Sequence, residues 1–461
     1  MKPRITLFFS PGYVMRIEPK GIAPPLSLAY VAQILQNASY EVTSINSNEH
    51  IELNEDIGTP AFERKTLQKL LAVVEKTNPD ILYISSWTYA MPFTAEFCKA
   101  FRQKYPDIPI ILAGANASNL PQETLELIPE LTAVVKGEGQ FAMLDVVKAI
   151  EARKKFEQIQ GISFRNNGNI IHNFPYPRIK NLDELPLLDF SSFENKNMKH
   201  FYFLTSYGCP SFCGFCSEPT NWPGWRGFSI PYVMKQLKLW EKVFGNIQVN
   251  FYDADFTWNK ERVLQFCKAM KENNFDFPWF CYSRVDNLDE EMMKVMKEAG
   301  NRYIFFGIES LHPKTLQWYS KAKDIPAYLK SIPKAISLVN QHNIKATLSF
   351  IAGCPIETKQ EMEEHYEQMV NLARSCTALD HVELSRLTLE INSRFYHMWK
   401  RNALALKKIK NENLSISYSG YQLFTKQYED YVWMTPQRYV FENQHIPQEE
   451  LEELMIGMAR K

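Results

Sequence analysis

Strand and helix patterns alternate five times across residues 1–157, and that regularity restricts the fold more than any other feature of the chain. Short apolar runs at Ile5–Phe9, Val42–Ile45, Asp80–Ser86, Ile108–Ala113 and Ala133–Lys136 read as buried strands. Helical patterns follow them at Leu26–Gln36, Phe62–Glu75, Phe93–Lys104, Gln122–Ile128 and Gln140–Arg153, the first opened by Pro24-Pro25. Strands joined through helices lie parallel, because a tight hairpin cannot connect them. The expected fold is α/β, a doubly wound Rossmann-like sheet that takes ligands at the carboxyl ends of its strands.

Residues 158–200 read as a linker that contains a hairpin with Asn167-Gly168 at its turn. A second alternation occupies 201–387. Strands are expected at Phe201–Ser206, Ile247–Tyr252, Trp279–Ser283, Tyr303–Phe306, Ala346–Phe350 and His381–Leu384. Helices are expected at Pro231–Val243, Lys260–Asn273, Glu290–Glu298, Ala327–Gln341 and Lys359–Ala373. Such units close into a barrel, or part of one, with its site at the strand C-termini. Residues 388–461 form a C-terminal region with Tyr418, Tyr421, Phe424, Tyr428, Tyr431 and Trp433 ahead of a helix at Gln448–Met458. It suits either a helical cap or a substrate-selecting cover for the barrel mouth.

Cys209, Cys213 and Cys216 stand at spacing C-x3-C-x2-C in a Gly- and Pro-containing loop after the first strand of the second alternation. Thiolates so spaced bind zinc or an iron–sulfur cluster. A structural zinc site wants four ligands, and no second pair or nearby His follows. A cubane held by three cysteines keeps one iron without a protein ligand, open to a chelating small molecule. The other five cysteines, Cys98, Cys267, Cys281, Cys354 and Cys376, sit among apolar residues and read as buried thiols. With no disulfide framework, a reducing, cytoplasmic setting is expected. The 52 basic and 52 acidic residues cancel, which argues against a nucleic-acid-binding protein. No run is long enough for a signal peptide or a membrane span.

The cysteine loop, with Phe215 just before the third cysteine, resembles the signature of the radical S-adenosylmethionine superfamily. The resemblance implies a 4Fe–4S cluster on Cys209, Cys213 and Cys216, with S-adenosylmethionine on its open iron. It also implies a partial (β/α)6 barrel and an electron donor such as flavodoxin or ferredoxin. Strand ends extend the likeness. Asp253 and Asp255 in Y-D-A-D-F-T would meet the ammonium of S-adenosylmethionine or the substrate. Ser283 and Arg284 come from Y-S-R-V-D, and the arginine suits a carboxylate bound bidentately. Glu309 in F-F-G-I-E-S would hold the amino group or ribose. Gly353 and Pro355 match a G-x-P-x-E-T turn beside adenine, whose ring Phe215 and Ile351 would flank. Arg226 in W-P-G-W-R resembles a family arginine, and Trp222 and Trp225 suit a substrate wall or simple packing.

The first domain resembles the cobalamin-binding domain of many of these enzymes. Pro24-Pro25-Leu26-Ser27-Leu28-Ala29-Tyr30, Ala113-Gly114-Ala115-Asn116-Ala117 and Gly137-Glu138-Gly139-Gln140 follow the family's motifs, each with departures. The resemblance implies that Gly114, Ala115, Asn116, Gly137, Glu138 and Gly139 border the cofactor's tail. The place of a cobalt-ligating D-x-H-x-x-G holds Ser10-Pro11-Gly12-Tyr13-Val14-Met15 instead. The lower face of cobalamin would therefore lack a protein imidazole, with Trp87 or Tyr89 covering it.

The family likeness implies a cobalamin-dependent methyltransferase acting on an unactivated carbon of a small-molecule or peptide substrate. In that mechanism a 5′-deoxyadenosyl radical abstracts hydrogen and methylcobalamin supplies the methyl group. The same cofactors also serve cyclisation or rearrangement. A different class, a cluster-bearing electron-transfer or binding protein with a degenerate first domain, has no need of the Asp255, Arg284, Glu309 and Gly353 set.

Overall fold

The computed structural model describes residues 2–11, 22–51, 59–195, 197–410 and 439–460. They divide into two compact units, one of residues up to Met198 and one from Lys199 onward. Among the described residues no helix is long and apolar enough to cross a membrane.

In the first unit β1 (Arg4–Phe9), β2 (Glu41–Asn46), β3 (Ile81–Ser85), β4 (Ile110–Ala113) and β5 (Ala133–Val135) run parallel in the order β2-β1-β3-β4-β5. Every residue of β3, β4 and β5 is buried, as a sheet covered by helices on both faces requires. Phe93, Phe97 and Phe101 recur at i, i+4 on the helix Met91–Lys104, and Phe97 stacks on Phe8 of β1 at 4.6 Å. The strand order reverses between β1 and β3, so the crevice at the carboxyl ends of those two strands is the natural ligand position.

The hairpin expected in a linker is part of this sheet. β6 (Ile162–Asn166) pairs antiparallel with β5, and β7 (Asn169–His172) forms the edge. Asn167 and Gly168 both take positive φ, 49° and 82°, the pattern of a type I′ turn whose twist matches its strands.

In the second unit β8 (His200–Phe203) is followed by a short antiparallel pair, β9 (Ser206–Tyr207) and β10 (Arg226–Gly227). The sheet continues with β11 (Gln248–Phe251), β12 (Trp279–Ser283), β13 (Asn301–Glu309), β14 (Lys345–Ala352) and β15 (Leu379–Arg386). Its order, β8-β11-β12-β13-β14-β15, is sequential and all parallel, the topology of a six-strand partial barrel. β12 alternates buried and half-buried residues. Five helices, from Ile230, Lys260, Glu290, Ile325 and Lys359, are each preceded by a capping side chain. Ser229, Asn259, Asp289, Asp324 and Thr358 accept a backbone N–H in the first turn, so the sequence itself marks where each helix begins.

The C-terminal region contributes a helix at Arg394–Lys400, a ribbon of β16 (Leu406–Lys408) and β17 (Tyr439–Phe441), and a helix at Gln448–Arg460. Leu451, Met455 and Met458 of the last helix pack with Ala352 and Met362. The aromatic residues Tyr418 to Trp433 lie outside the described residues.

Candidate functional site

The cysteine loop leaves the end of β8 and is anchored at its start by Asp253. Thr205 donates to that carboxylate through N (3.0 Å) and Oγ1 (2.8 Å), and Ser206 through Oγ (2.5 Å). Burial pushes the Asp253 carboxyl up and the three donors pull it down. Asp253 thus faces the chain rather than an ammonium group, which corrects one sequence expectation. The W-P-G-W-R segment backs the same loop: Trp222 lies 5.4 Å from the Tyr207 ring and the Arg226 guanidinium 5.9 Å from it.

Cys209, Cys213 and Cys216 are half-buried, whereas the other five cysteines are buried. Burial raises the Cys209 thiol to about 11 and raises Cys216 further, so these thiols stay neutral until a cation draws off their protons. Among the described residues no three His, Cys, Asp or Glu side chains are gathered as a single metal ion would require. A cubane presents a different iron to each cysteine, so its ligands stand wider apart than those of one ion. Three half-buried cysteines in one short loop fit that group.

Gly214, inside the loop, is enclosed. Its N–H donates to the Tyr319 carbonyl at 2.6 Å and its carbonyl accepts from Phe395 N at 3.0 Å. Phe215 meets the Tyr319 ring edge-on at 5.3 Å, and the Tyr319 hydroxyl donates to the Ile351 carbonyl at 3.4 Å. Tyr319 therefore joins Phe215 and Ile351, the two residues expected beside adenine. Gly353 takes φ 87°, and a Cβ there would lie 3.4 Å from Met455 of the last helix. Below this turn the buried Glu357 accepts from Thr315 Oγ1 at 2.5 Å, and burial raises its carboxyl to about 7.

The ends of β11, β12 and β13 carry a buried polar network. Asp255 accepts from Thr257 Oγ1 (3.0 Å) and Asn287 Nδ2 (2.7 Å), and Thr257 shares a 2.7 Å hydrogen bond with Ser283. Burial lifts the Asp255 carboxyl to about 6 against the pull of Arg284. The fork of Arg284 is already engaged: Nε and Nη2 bind Asp286 at 2.9 and 2.8 Å, and Nη1 donates to the Lys321 carbonyl. The expected bidentate hold on a ligand carboxylate is thus filled by a neighbour two residues away. Glu309 takes a left-handed φ of 70° and receives the Lys321 ammonium at 3.0 Å. Lys321, 6% exposed, is a functional candidate that sequence reading missed. Its only signal was a lysine after Tyr319-Ser320, with no motif to single it out.

In the first unit the expected cofactor residues divide. Trp87, at the end of β3, is 57% exposed and meets Phe9 edge-on at 6.4 Å, so it is not a core residue. Tyr89 is half-buried and Ala115 exposed, while Asn116 is fully buried. Gly137 has positive φ and open space around it. Gly114 and Gly139 are small for internal reasons. A Cβ on Gly114 would fall 1.9 Å from the Ser86 carbonyl oxygen, and one on Gly139 would fall 2.3 Å from Val135 Cγ1. Glu138 accepts from the Ile179 N–H at 3.0 Å and so fastens the chain after the hairpin, not a ligand. Ser10 and Ser86 both hydrogen-bond Thr94 at 2.8 Å beneath the β1 and β3 ends. Gly12 to Met15 lie outside the described residues.

Comparison with known proteins agrees with this division of labour. The B12 binding domain model matches residues 12–147 and the Radical SAM superfamily model matches residues 203–369. An uncharacterized methyltransferase of Pyrococcus horikoshii is 30% identical over 346 residues, 74% of this chain and 72% of that protein. The anaerobic magnesium-protoporphyrin IX monomethyl ester cyclase of Cereibacter sphaeroides is 25% identical over 76% of this chain and 56% of its own. Among solved structures, the radical S-adenosylmethionine methyltransferase TsrM from Kitasatospora setae superposes with a TM-score of 0.73 at 14% identity, covering 99% of this chain and 88% of that one. The cobalamin-dependent radical enzyme OxsB gives 0.71 at 17% identity, over 99% and 66%. At those identities the superpositions speak for the fold alone. The two domain models bring with them cobalamin, a 4Fe–4S cluster and S-adenosylmethionine as cofactors. The chain belongs to the cobalamin-dependent radical S-adenosylmethionine enzyme family.

Proposed function

We propose that this protein is a methyltransferase that methylates an unactivated carbon of a small-molecule or peptide substrate. The observation that carries the reading is the joining, in one chain, of a B12-binding domain to a three-cysteine radical site, in a protein 30% identical to a methyltransferase. When bound, the cluster supplies the electron that cleaves S-adenosylmethionine and cobalamin carries the methyl group.

The chain's own residues have separate tasks. Cys209, Cys213 and Cys216 hold the cluster. Phe215 and Ile351, joined by Tyr319, border adenine, and Gly353 lets the turn beside it form. Glu309, held by Lys321, would meet the polar end of S-adenosylmethionine, and Asp255 supports the same network from behind, through Thr257 and Asn287. Trp87, exposed at the β3 end, and Gly137, with open space around it, would border cobalamin in the first unit. A flavodoxin- or ferredoxin-like partner would supply the electron.

Ring formation on the same cofactors is the second reading, favoured by the 25% identity to the cyclase across 76% of the chain. Anaerobic turnover with methyl-labelled S-adenosylmethionine and fractionated extract separates the two. Label carried into a product heavier than its precursor by the labelled methyl less one hydrogen supports methylation. A product that has lost hydrogen and gained no label supports cyclisation.

A further inference from the structure

The resemblance to the family fades after Leu387, yet the segment Asn392–Phe395 lies directly on the cysteine loop. Phe395 N donates to the Gly214 carbonyl, and Gly214 N donates in turn to the Tyr319 carbonyl. Arg394 spans the same turn, with Nη1 on Ser320 Oγ at 2.8 Å and Nη2 on the Trp318 carbonyl at 2.7 Å. The Phe395 ring lies 4.1 Å from Trp318. No space remains at the centre of this arrangement. A Cβ on Gly214 would stand 2.5 Å from Arg394 Nη2 and 2.6 Å from Phe395 Cε1.

Ser320 is left-handed, φ 53°, and the next residue is Lys321, whose ammonium enters the buried pair with Glu309. One turn therefore presents its backbone to the cysteine loop and its following side chain to the polar network. Asn392 adds a third tie, donating to Asn221 Oδ1 at 3.0 Å just beyond the third cysteine.

We propose that Arg394 and Phe395 are positioning residues for the cluster loop. They clamp the Cys213–Cys216 limb against the Trp318–Lys321 turn, so that cluster retention depends on a C-terminal segment that contributes no ligand. The inference rests on the reading that Cys209, Cys213 and Cys216 hold the cluster. The guanidinium fork matters more than its charge, because Arg394 is exposed and its field is screened by water.

The test is iron release from the reconstituted holoenzyme to an iron(II) chelator, followed anaerobically. Arg394→Ala and Gly214→Ala should each speed release roughly tenfold. Arg394→Lys should fall between wild type and Arg394→Ala, since an ammonium reaches one of the two acceptors but does not fork across both. Gly214→Ala should also alter the electron paramagnetic resonance g-values of the reduced cluster. A role confined to general stability would instead lower the unfolding midpoint of the cluster-free chain in step with the release rate, and that result would overturn the proposal. If Gly214→Ala does not fold, the two Arg394 variants decide alone, because they change only an exposed side chain. Unchanged release in both would refute the clamp while leaving the cysteine assignment standing. A wild-type protein that takes up no cluster would overturn both.

Discussion

The Lys321 ammonium stands 3.0 Å from Glu309 Oε1, with the two side chains only 6% and 12% exposed. Burial opposes the lysine's charge, but Glu309 holds it protonated well above the usual range. Removing one partner leaves an uncompensated buried charge, which costs about 3–5 kcal/mol. Lys321→Met should lose stability on that scale in denaturant unfolding. The double variant Lys321→Met/Glu309→Gln should recover most of it, because neither charge remains. A loss below about 1 kcal/mol in the single variant, the range of an exposed pair, would contradict the buried pairing.

Glu357 and Asp255 tie stability to pH in the same direction. Burial raises their carboxyls to about 7 and about 6, so the folded chain binds more protons than the unfolded chain between about pH 4 and 7. Stability from these groups is present below the unfolded values and is lost as pH rises through the folded ones. Glu357→Gln keeps an acceptor for Thr315 without the charge. It should therefore be more stable than wild type at pH 8, by on the order of 2–3 kcal/mol, and nearly equal at pH 4. Thermal unfolding at the two pH values is the measurement, and an unaltered pH slope would show that Glu357 is not held neutral.

Two glycines of the first unit separate packing from ligand space. Gly114→Ala forces a Cβ onto the Ser86 carbonyl at a backbone conformation closed to alanine, and should cost about 3 kcal/mol or more. Gly137→Ala meets nothing and should cost only about 1–2 kcal/mol, for its left-handed φ. If the tail of cobalamin passes Gly137, that variant should fold but bind cobalamin more weakly in equilibrium dialysis. Full affinity in Gly137→Ala would move the tail elsewhere.

Residues Ser10 to Met15 include no histidine, and the exposed Trp87 indole stands at the β3 end beside Phe9. The Co(II) form should thus show no axial-nitrogen splitting in electron paramagnetic resonance, and Trp87→Ala should change its spectrum. Clear nitrogen splitting would mean that another ligand reaches cobalt.

Periodicity and turn chemistry made both sheets legible, because a buried parallel strand such as Ile81–Ser85 and a capped helix such as the one after Thr358 announce themselves locally. The three cysteines were legible for the same reason: they sit in one short loop. What escaped depends on partners distant in sequence. Gly114 is small because Ser86 approaches it, and Arg284 is occupied because Asp286 turns back toward it. The enclosure of Gly214 by Tyr319 and Phe395 has no counterpart in spacing or composition. Lys321 carried no motif, and only the folded chain brings it to Glu309.

The most direct test of the site is electron paramagnetic resonance of the dithionite-reduced protein, recorded before and after adding S-adenosylmethionine. Wild type should give a 4Fe–4S signal whose g-values shift when S-adenosylmethionine occupies the open iron. The variant with Cys209, Cys213 and Cys216 all replaced by alanine should give none, whereas Cys98→Ala and Cys376→Ala should match wild type. A cluster signal that survives in the triple variant, or one in wild type that ignores S-adenosylmethionine, would contradict the assignment.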